Sequence, residues 1–280
     1  MAKVKVLTDS IADIPPAIRQ ELDITSIPCI VRFGNQEYRD RVDIFPSEFY
    51  RRLIASPVLP QTSQPAVGVF EEAYQKLAEQ TDEIIAIHPV GALSGIYNTS
   101  CLAAQSVTKA KILVIDSKQI SMGVGWLVIL AARAAQAGAR LAEIKTLIED
   151  ALPCVHLLAM LDTLEYAQRG GRLSKGKAWL GTLLNVKPVL SVIDSQVVPV
   201  ENIRTQKRAV NRMVEMVLES GAIQELAVMH AEAPQLAETL AEMLSSIFPK
   251  ERMVVTETGP VLGTHVGPGT VGLAWLNRKS

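Results

Sequence analysis

The stretch EIIAIHPVGALSGIYN, residues 83–98, runs from an apolar segment, Glu83 to Ile87, through a glycine-bearing turn into a helical pattern. A short apolar run bounded by turn residues reads as a buried strand, and the pattern after it reads as the start of a helix. Ser94 stands at the junction. As an N-cap its hydroxyl would sit beside the free backbone N–H groups of the first turn, where the helix dipole adds partial positive charge. Ordinary capping is one reading of that placement, and holding an anion is the other.

The same alternation extends outward. Val4 to Leu7, Ile27 to Phe33, Glu83 to Ile87 and Ile112 to Ile115 are strand-like runs, each followed by polar turn residues and an amphipathic segment. Such alternation predicts an α/β architecture, a mostly parallel sheet with helices on both faces. Helices are predicted over 121–137 and 141–152, with Gly138 ending the first. After Pro153 the pattern changes. Val186 to Ile193 and Val197 to Ile203 flank Asp194-Ser195-Gln196 and read as a hairpin, helices are predicted over 205–220 and 234–248, and Glu225 to His230 between them reads as a strand. A last strand pair, Met253 to Thr256 and Thr270 to Leu276, brackets a turn-rich segment. The expectation is two domains, an N-terminal α/β/α domain over 1–155 and a C-terminal α+β domain over 156–280, whose mixed sheet has helices on one face.

Bulk properties narrow the function classes. Of 280 residues 48% are hydrophobic and 20% charged, enough apolar surface for true cores. Aromatics make up only 5%, so Val, Ile, Leu and Ala build those cores. Lys and Arg number 28 against 29 Asp and Glu, without a basic block, which argues against nucleic acid as a partner. Cys29, Cys101 and Cys154 lack metal or redox spacing and read as reduced, mostly buried thiols. The N-terminal residues show no signal-peptide pattern, and the longest apolar segment, Met122 to Ala132, is too short to span a bilayer. A cytoplasmic protein without a transmembrane segment is the expectation.

Two glycine motifs match by letters and fail by context. Gly171 to Ala178 resembles a phosphate-binding loop, but Ala178 replaces the hydroxyl that would hold Mg²⁺, and Leu164 to Arg169 before it reads as a helix where a strand is required. Gly267-Pro268-Gly269-Thr270-Val271-Gly272 fits a dinucleotide fingerprint, yet only eight residues follow it, too few for the crossover helix and the acidic ribose ligand. Its glycines instead suit a tight loop approached closely by a ligand or another part of the chain. No cofactor is expected.

Polar residues cluster where pattern changes place loops: Thr62-Ser63, Ser94-Gly95, Arg172 after Gly170-Gly171, and His265 within Gly263 to Gly269. Each also has a plain reading. Thr62 could cap a helix beginning near Ala66, Arg172 could be a surface charge, and His265 a satisfied loop histidine.

Six motifs in order carry a resemblance to the DegV family over nearly the whole chain: Thr8-Asp9-Ser10, Thr62-Ser63-Gln64-Pro65, Ser94-Gly95-Ile96-Tyr97-Asn98, Asp116-Ser117, Gly170-Gly171-Arg172-Leu173-Ser174 and Gly263-Thr264-His265-Val266-Gly267-Pro268-Gly269. The resemblance implies a two-domain protein that binds a long-chain fatty acid such as palmitate or oleate with the acyl chain buried. It also implies a partner, an ATP-using fatty acid kinase subunit that phosphorylates the presented carboxylate to an acyl phosphate, with no catalysis by this chain. Carried over by position, Thr62, with Ser63 beside it, and Ser94 become hydroxyl donors to the carboxylate, assisted by the Gly95 N–H, while His265 completes the polar end. Arg172 and Arg204 fall at the mouth, toward the kinase or the new phosphate. Ile96 and Ala66 depart from the family, which often carries hydroxyl residues there.

Neutral donors at a helix start stabilise a carboxylate without burying an opposing charge, and leave it reachable. At about 0.8 kcal/mol per buried methylene, an acyl chain of roughly fifteen would gain on the order of 12 kcal/mol before ordering costs. Two other readings stay open at this level. One is an acyl hydrolase or transferase with Ser94 as nucleophile, His265 as base and Asp116 or Asp162 as orienting acid, although Gly91-x-x-Ser94-Gly95 misses the G-x-S-x-G elbow by one position. The other is a self-contained kinase using residues 171–178.

Overall fold

The computed structural model describes residues 4–172 and 186–278. The phosphate-loop-like run therefore lies, beyond Arg172, outside the described residues.

Strands β1 (Lys5–Asp9), β2 (Ile24–Ile27), β6 (Glu83–His88) and β7 (Lys111–Asp116) form one sheet in the order β2-β1-β6-β7, with every pairing parallel. Alternation along the strands divides its two faces. Val6, Ile85 and Ile87 join one core cluster, while Leu7, Ile84 and Ala86 join another. Helices α3 (Val67–Ala78) and α4 (Ile96–Ser106) cover the second face through Phe70, Tyr74 and Ala103; α5 (Met122–Gln136) and α6 (Leu141–Ala151) cover the first. Gly138 follows α5 at φ +91°, the left-handed step that ends the helix as its position predicts.

The second sheet has the order β10-β9-β8-β13-β11-β12, built from β8 (Val155–Met160), β9 (Lys187–Ile193), β10 (Gln196–Ile203), β11 (Ile223–His230), β12 (Val254–Glu257) and β13 (Val271–Asn277). It is mixed: β11 and β12 are parallel and the other pairs antiparallel. The predicted hairpin is present, with Gln196 opposite Ile193 and both loop residues, Asp194 and Ser195, at positive φ, as a two-residue turn of the primed type requires. Together the two sheets give the α/β fold class read from the pattern.

Three features differ from the sequence expectation. Ile27 to Phe33 is not one strand. Pro28 has no N–H to continue the ladder, so Ile27 ends β2 while β3 (Ile30–Phe33) pairs antiparallel with β4 (Gln36–Arg39) and β5 (Gln61–Ser63) in a separate small sheet. β12 and β13 are not neighbours, because β11 lies between them, and the segment joining them contains a helix, Pro260–Val266. Finally, the second sheet is covered on both faces. Helices α8 (Gln206–Glu219) and α9 (Pro234–Leu244) pack on Leu226, Val228 and Leu273, while α5 packs on the opposite face with Ala227, Ala274 and Leu157. The remaining helices are α1 (Pro16–Glu21), α2 (Pro46–Ala55), α7 (Glu165–Arg169) and α10 (Pro260–Val266).

Helix α5 is thus a shared layer, buried between two sheets, which explains why the run Met122 to Ala132 is apolar on every side. Trp126 Nε1 donates to the Ala274 carbonyl at 2.9 Å, tying the layer to β13. Replacing Trp126 by Phe removes that bond, so we expect a loss of about 0.5–1.5 kcal/mol in urea unfolding. A change within error would show that the two sheets do not depend on this tie.

Candidate functional site

The layer that α5 fills comes to an end at its N-terminus. Ile120, two residues before the helix, lines a cavity of about 590 Å³ bounded on one side by the loop after β6 and on the other by Leu157, Leu190 and Val192 of the second sheet. A helix holds two sheets apart by roughly its own diameter, about 10 Å. Space remains between them where the helix stops. This is the carboxyl edge of the parallel sheet, where open α/β sheets place their ligand crevices.

One end of the cavity is polar and open. Thr62 and Ser63 come from β5, Ser94 and Gly95 from the turn before α4, and His265 from α10, with Arg172 beyond α7; all six line the cavity, as does Gln64. Ser63, Gln64 and Arg172 are exposed, whereas Leu157, Leu161, Leu190 and Val192 of the same lining are buried. Arg204 is exposed just past β10 and is absent from the cavity lining.

The local geometry differs from a plain capping serine. The N-cap of α4 is Gly95, without a side-chain cap bond, and Ser94 precedes it. Ser94 Oγ accepts from the Ile96 N–H at 3.4 Å. The first helical bond runs from Thr99 N–H to Gly95 O, so the preceding N–H groups have no helical carbonyl to bond. Gln64 lies across this turn: Nε2 donates to Thr99 Oγ1 at 2.7 Å, and a Cβ at Gly95 would come 1.9 Å from Oε1. Gln64 was quoted within its motif but given no role from sequence; a glutamine beside Pro65 carries no signal until α4 folds against it.

Thr62 and His265 were both expected in loops and are not. Thr62 is the central residue of β5, opposite Val31, and α3 is capped at Ala66 rather than by Thr62. His265 lies in the last turn of α10. Across 203 residues of sequence, Thr62 Oγ1 and His265 Nε2 meet at 3.0 Å. Burial, helped by the nearby Arg172 charge, pushes His265 down to about 4, so the ring is neutral near pH 7. Among the described residues its Nδ1 has no partner, and it lies so close to Gly170 that a Cβ there would be 2.4 Å away. Gly267, at φ +74°, likewise permits Tyr166 to pack where a Cβ would fall 2.1 Å from its ring. The loop glycines Gly267 and Gly269 are therefore approached by Tyr166 of α7 and by Asp162 before it.

The described residues do not assemble the nucleophile, base and acid chain of Ser94, His265 and Asp116 or Asp162. His265 is bonded to Thr62, and its Nδ1 meets no carboxylate. Asp116 pairs with Lys118 at 2.5 Å, and Asp162 pairs with Lys187. Cys29 is buried against the cavity, whereas Cys101 and Cys154 are only partly buried, contrary to the expectation for thiols. Asp9 of the Thr8-Asp9-Ser10 motif bonds His88 Nδ1 at 2.7 Å, and Thr8 Oγ1 donates to Ile87 O at 2.8 Å, so this motif staples β1 to β6 beneath the site. Among the described residues no helix is long and apolar enough to cross a membrane, and no group of three or more His, Cys, Asp or Glu could hold a metal ion.

Comparison with known proteins agrees with this architecture. The family model for "uncharacterised protein, DegV family" matches residues 3–278. Protein DegV of Bacillus subtilis is 34% identical over 277 residues, covering 97% of this chain and 98% of that protein. The crystal structure of DegV, a fatty acid binding protein from Bacillus subtilis, matches with a TM-score of 0.92 at 32% identity, covering 99% of this chain and 100% of that one. A DegV family protein from Thermus thermophilus, whose structure concerns fatty acid binding, matches with a TM-score of 0.91 at 29% identity over 99% of this chain and 100% of that one. With the family pattern spanning nearly every residue and the same fold throughout, the chain belongs to the DegV family.

Proposed function

We propose that this chain binds one long-chain fatty acid, such as palmitate or oleate, with the hydrocarbon inside the cavity and the carboxylate at its polar end. The observation that carries the reading is the cavity's division into a buried aliphatic part and an open end furnished with hydroxyls, a free helix start and a neutral imidazole. The fatty acid binding of the Bacillus subtilis and Thermus thermophilus DegV proteins supports it.

In this reading the tail supplies affinity, about 0.8 kcal/mol per methylene buried, less the cost of ordering it. The head is held by Thr62, Ser63 and Ser94 hydroxyls and the Gly95 N–H. A His265 tautomer with its proton on Nε2 donates to Thr62 Oγ1, which leaves the single Thr62 hydrogen for the carboxylate. No opposing full charge is buried there, so the oxygens stay available to a second protein. Arg172, exposed at the mouth, then meets either the incoming kinase subunit or the new phosphate, and Arg204 extends that surface. We assign transfer of the phosphoryl group to an ATP-using partner, in the cytoplasm, and only binding and presentation to this chain. Residues 1–155 supply most of the carboxylate site and 156–280 cover the acyl chain, with His265 and Arg172 contributed across that division.

Native mass spectrometry of the freshly purified protein should find one fatty acid per chain, and Thr62→Ala or Ser94→Ala should weaken palmitate retention on the order of tenfold each. Unchanged retention in both variants would refute the head-group assignment. Arg172→Glu should keep the lipid and lose partner-dependent phosphorylation; lipid loss instead would move Arg172 into the pocket. His265 gives a pH signature. Because its folded pKa of about 4 lies below the ordinary value of 6.5, the unfolded chain binds the extra proton first, so its contribution to stability is complete above about pH 6.5 and is lost as pH falls toward 4. Melting temperatures of the ligand-free protein and of His265→Asn, compared from pH 7 to 4, should show a smaller acid-side decline in the variant, and parallel curves would contradict the depressed value.

A further inference from the structure

Helix α10 has only seven residues, too few to hold itself, yet it carries His265 in its last turn. Its N-cap, Gly259, has no side chain, and Pro260 contributes no N–H. The chain entering it is instead held from the other half of the sequence. Asp13 Oδ1 accepts from the Gly259 N–H at 2.8 Å and from Arg41 at 3.0 Å, while Oδ2 accepts from Ser121 at 2.7 Å. The Asp13 carbonyl accepts from Thr256 Oγ1 at 3.0 Å. Arg41 donates a second bond to the Glu257 carbonyl at 2.5 Å, and Tyr50 donates to that of Thr258 at 3.0 Å. The backbone groups Glu257 O, Thr258 O and Gly259 N–H are thus bound from three separate parts of the chain.

Further features mark this cluster as built rather than incidental. The Asp13 side chain is wholly buried, with Arg41 as its ion-pair partner at 14% side-chain exposure. Arg41 adopts φ +60°, a conformation that costs a non-glycine residue energy and persists where its surroundings over-determine it. Asp40 lies alongside, accepting from Ser10 Oγ at 2.9 Å, and burial, partly offset by the Arg41 charge, pushes its carboxyl up to about 7. A Cβ at Gly259 would meet Asp40 Oδ1 at 3.0 Å and Arg41 Nε at 3.1 Å, so the chain passes these charges at the closest approach that glycine allows. Neither Asp13 nor Arg41 lines the ligand cavity.

We propose that Asp13, with Arg41 as its charge partner, is a positioning residue for the ligand site: it anchors the chain entering α10 and thereby fixes where His265 meets Thr62. This rests on the reading of His265 as part of the fatty acid's polar end. Asp13 touches no ligand and acts through the five residues of helix between Gly259 and His265. The hydroxyl of Thr62 depends on that placement for its orientation.

The test follows the imidazole itself. In ligand-free protein, the NMR titration of His265, identified among four histidines by its loss in His265→Asn, should have a midpoint near 4 in the wild type. Asp13→Ala should raise the midpoint toward 6.5 and weaken palmitate retention on the order of tenfold, and Asp13→Asn, which keeps an acceptor for Gly259, should restore both. If Asp13→Ala does not fold, Arg41→Gly provides the same readouts, since glycine is at ease at φ +60° and only the guanidinium is lost; it should shift the midpoint in the same direction. A folded Asp13→Ala or Arg41→Gly with an unmoved His265 titration overturns the proposal, even if retention falls, because the effect would then bypass the imidazole. A wild type that binds no palmitate while these variants still shift His265 leaves the anchor standing and removes the fatty acid reading.

Discussion

Everything in this fold is arranged around a helix whose stretch from Met122 to Ala132 has almost no face left for water. Helix α5 lies between a parallel sheet and a mixed one, and its side chains belong to the core of both. A helix in that position has to be apolar all round, and the two sheets it separates have to keep a helix's width between them. The ligand cavity follows from the same constraint. Where α5 begins, the sheets are still held apart, and the described residues around the gap come from strand ends, loops and helices α4, α7 and α10. The volume is a by-product of layer spacing, and its placement at the carboxyl edge of the parallel sheet brings a free helix start to its rim.

The chemistry of that rim is uncharged where it closes on the cavity. Thr62, Ser94 and a histidine kept neutral by burial lie in its lining, and Arg172, the one arginine among the described lining residues, is exposed to solvent. Such an arrangement suits an anion that has to be held and later given up, since a buried opposing charge would bind it more firmly and also cost desolvation when empty. The ion pair of Asp13 and Arg41 is placed one layer back, where it binds the backbone of Glu257 and Gly259, with Asp40 beside it.

Much of this was legible in the residues. Alternating runs gave the parallel sheet, Asp194-Ser195 gave the hairpin, Gly138 the end of α5, and the glycine-bearing turns the neighbourhood of the site. The errors have local causes. Ile27 to Phe33 is uniformly apolar apart from Pro28, Cys29 and Arg32, and a break between two sheets looks like one strand when burial is the only signal. Helix α10 was hidden because Pro, three glycines and a histidine within ten residues read as a turn; its helical state comes from anchoring at Asp13 and packing on α2 rather than from propensity. The second face of the mixed sheet was invisible because the helix that covers it lies far upstream in the chain.

The sequence alone determined the fold class, the order of nearly all elements, and the family, because periodicity and turn chemistry are local and six motifs recur in fixed order. Tertiary structure alone decided that Thr62 and His265 touch, that Gln64 crosses Gly95, and that Arg172 reaches the cavity while Arg204 stays outside its lining. Convergence of that kind depends on the spacing of packed layers and on crossings between residues some 200 positions apart, and neither leaves a periodic trace along a single chain.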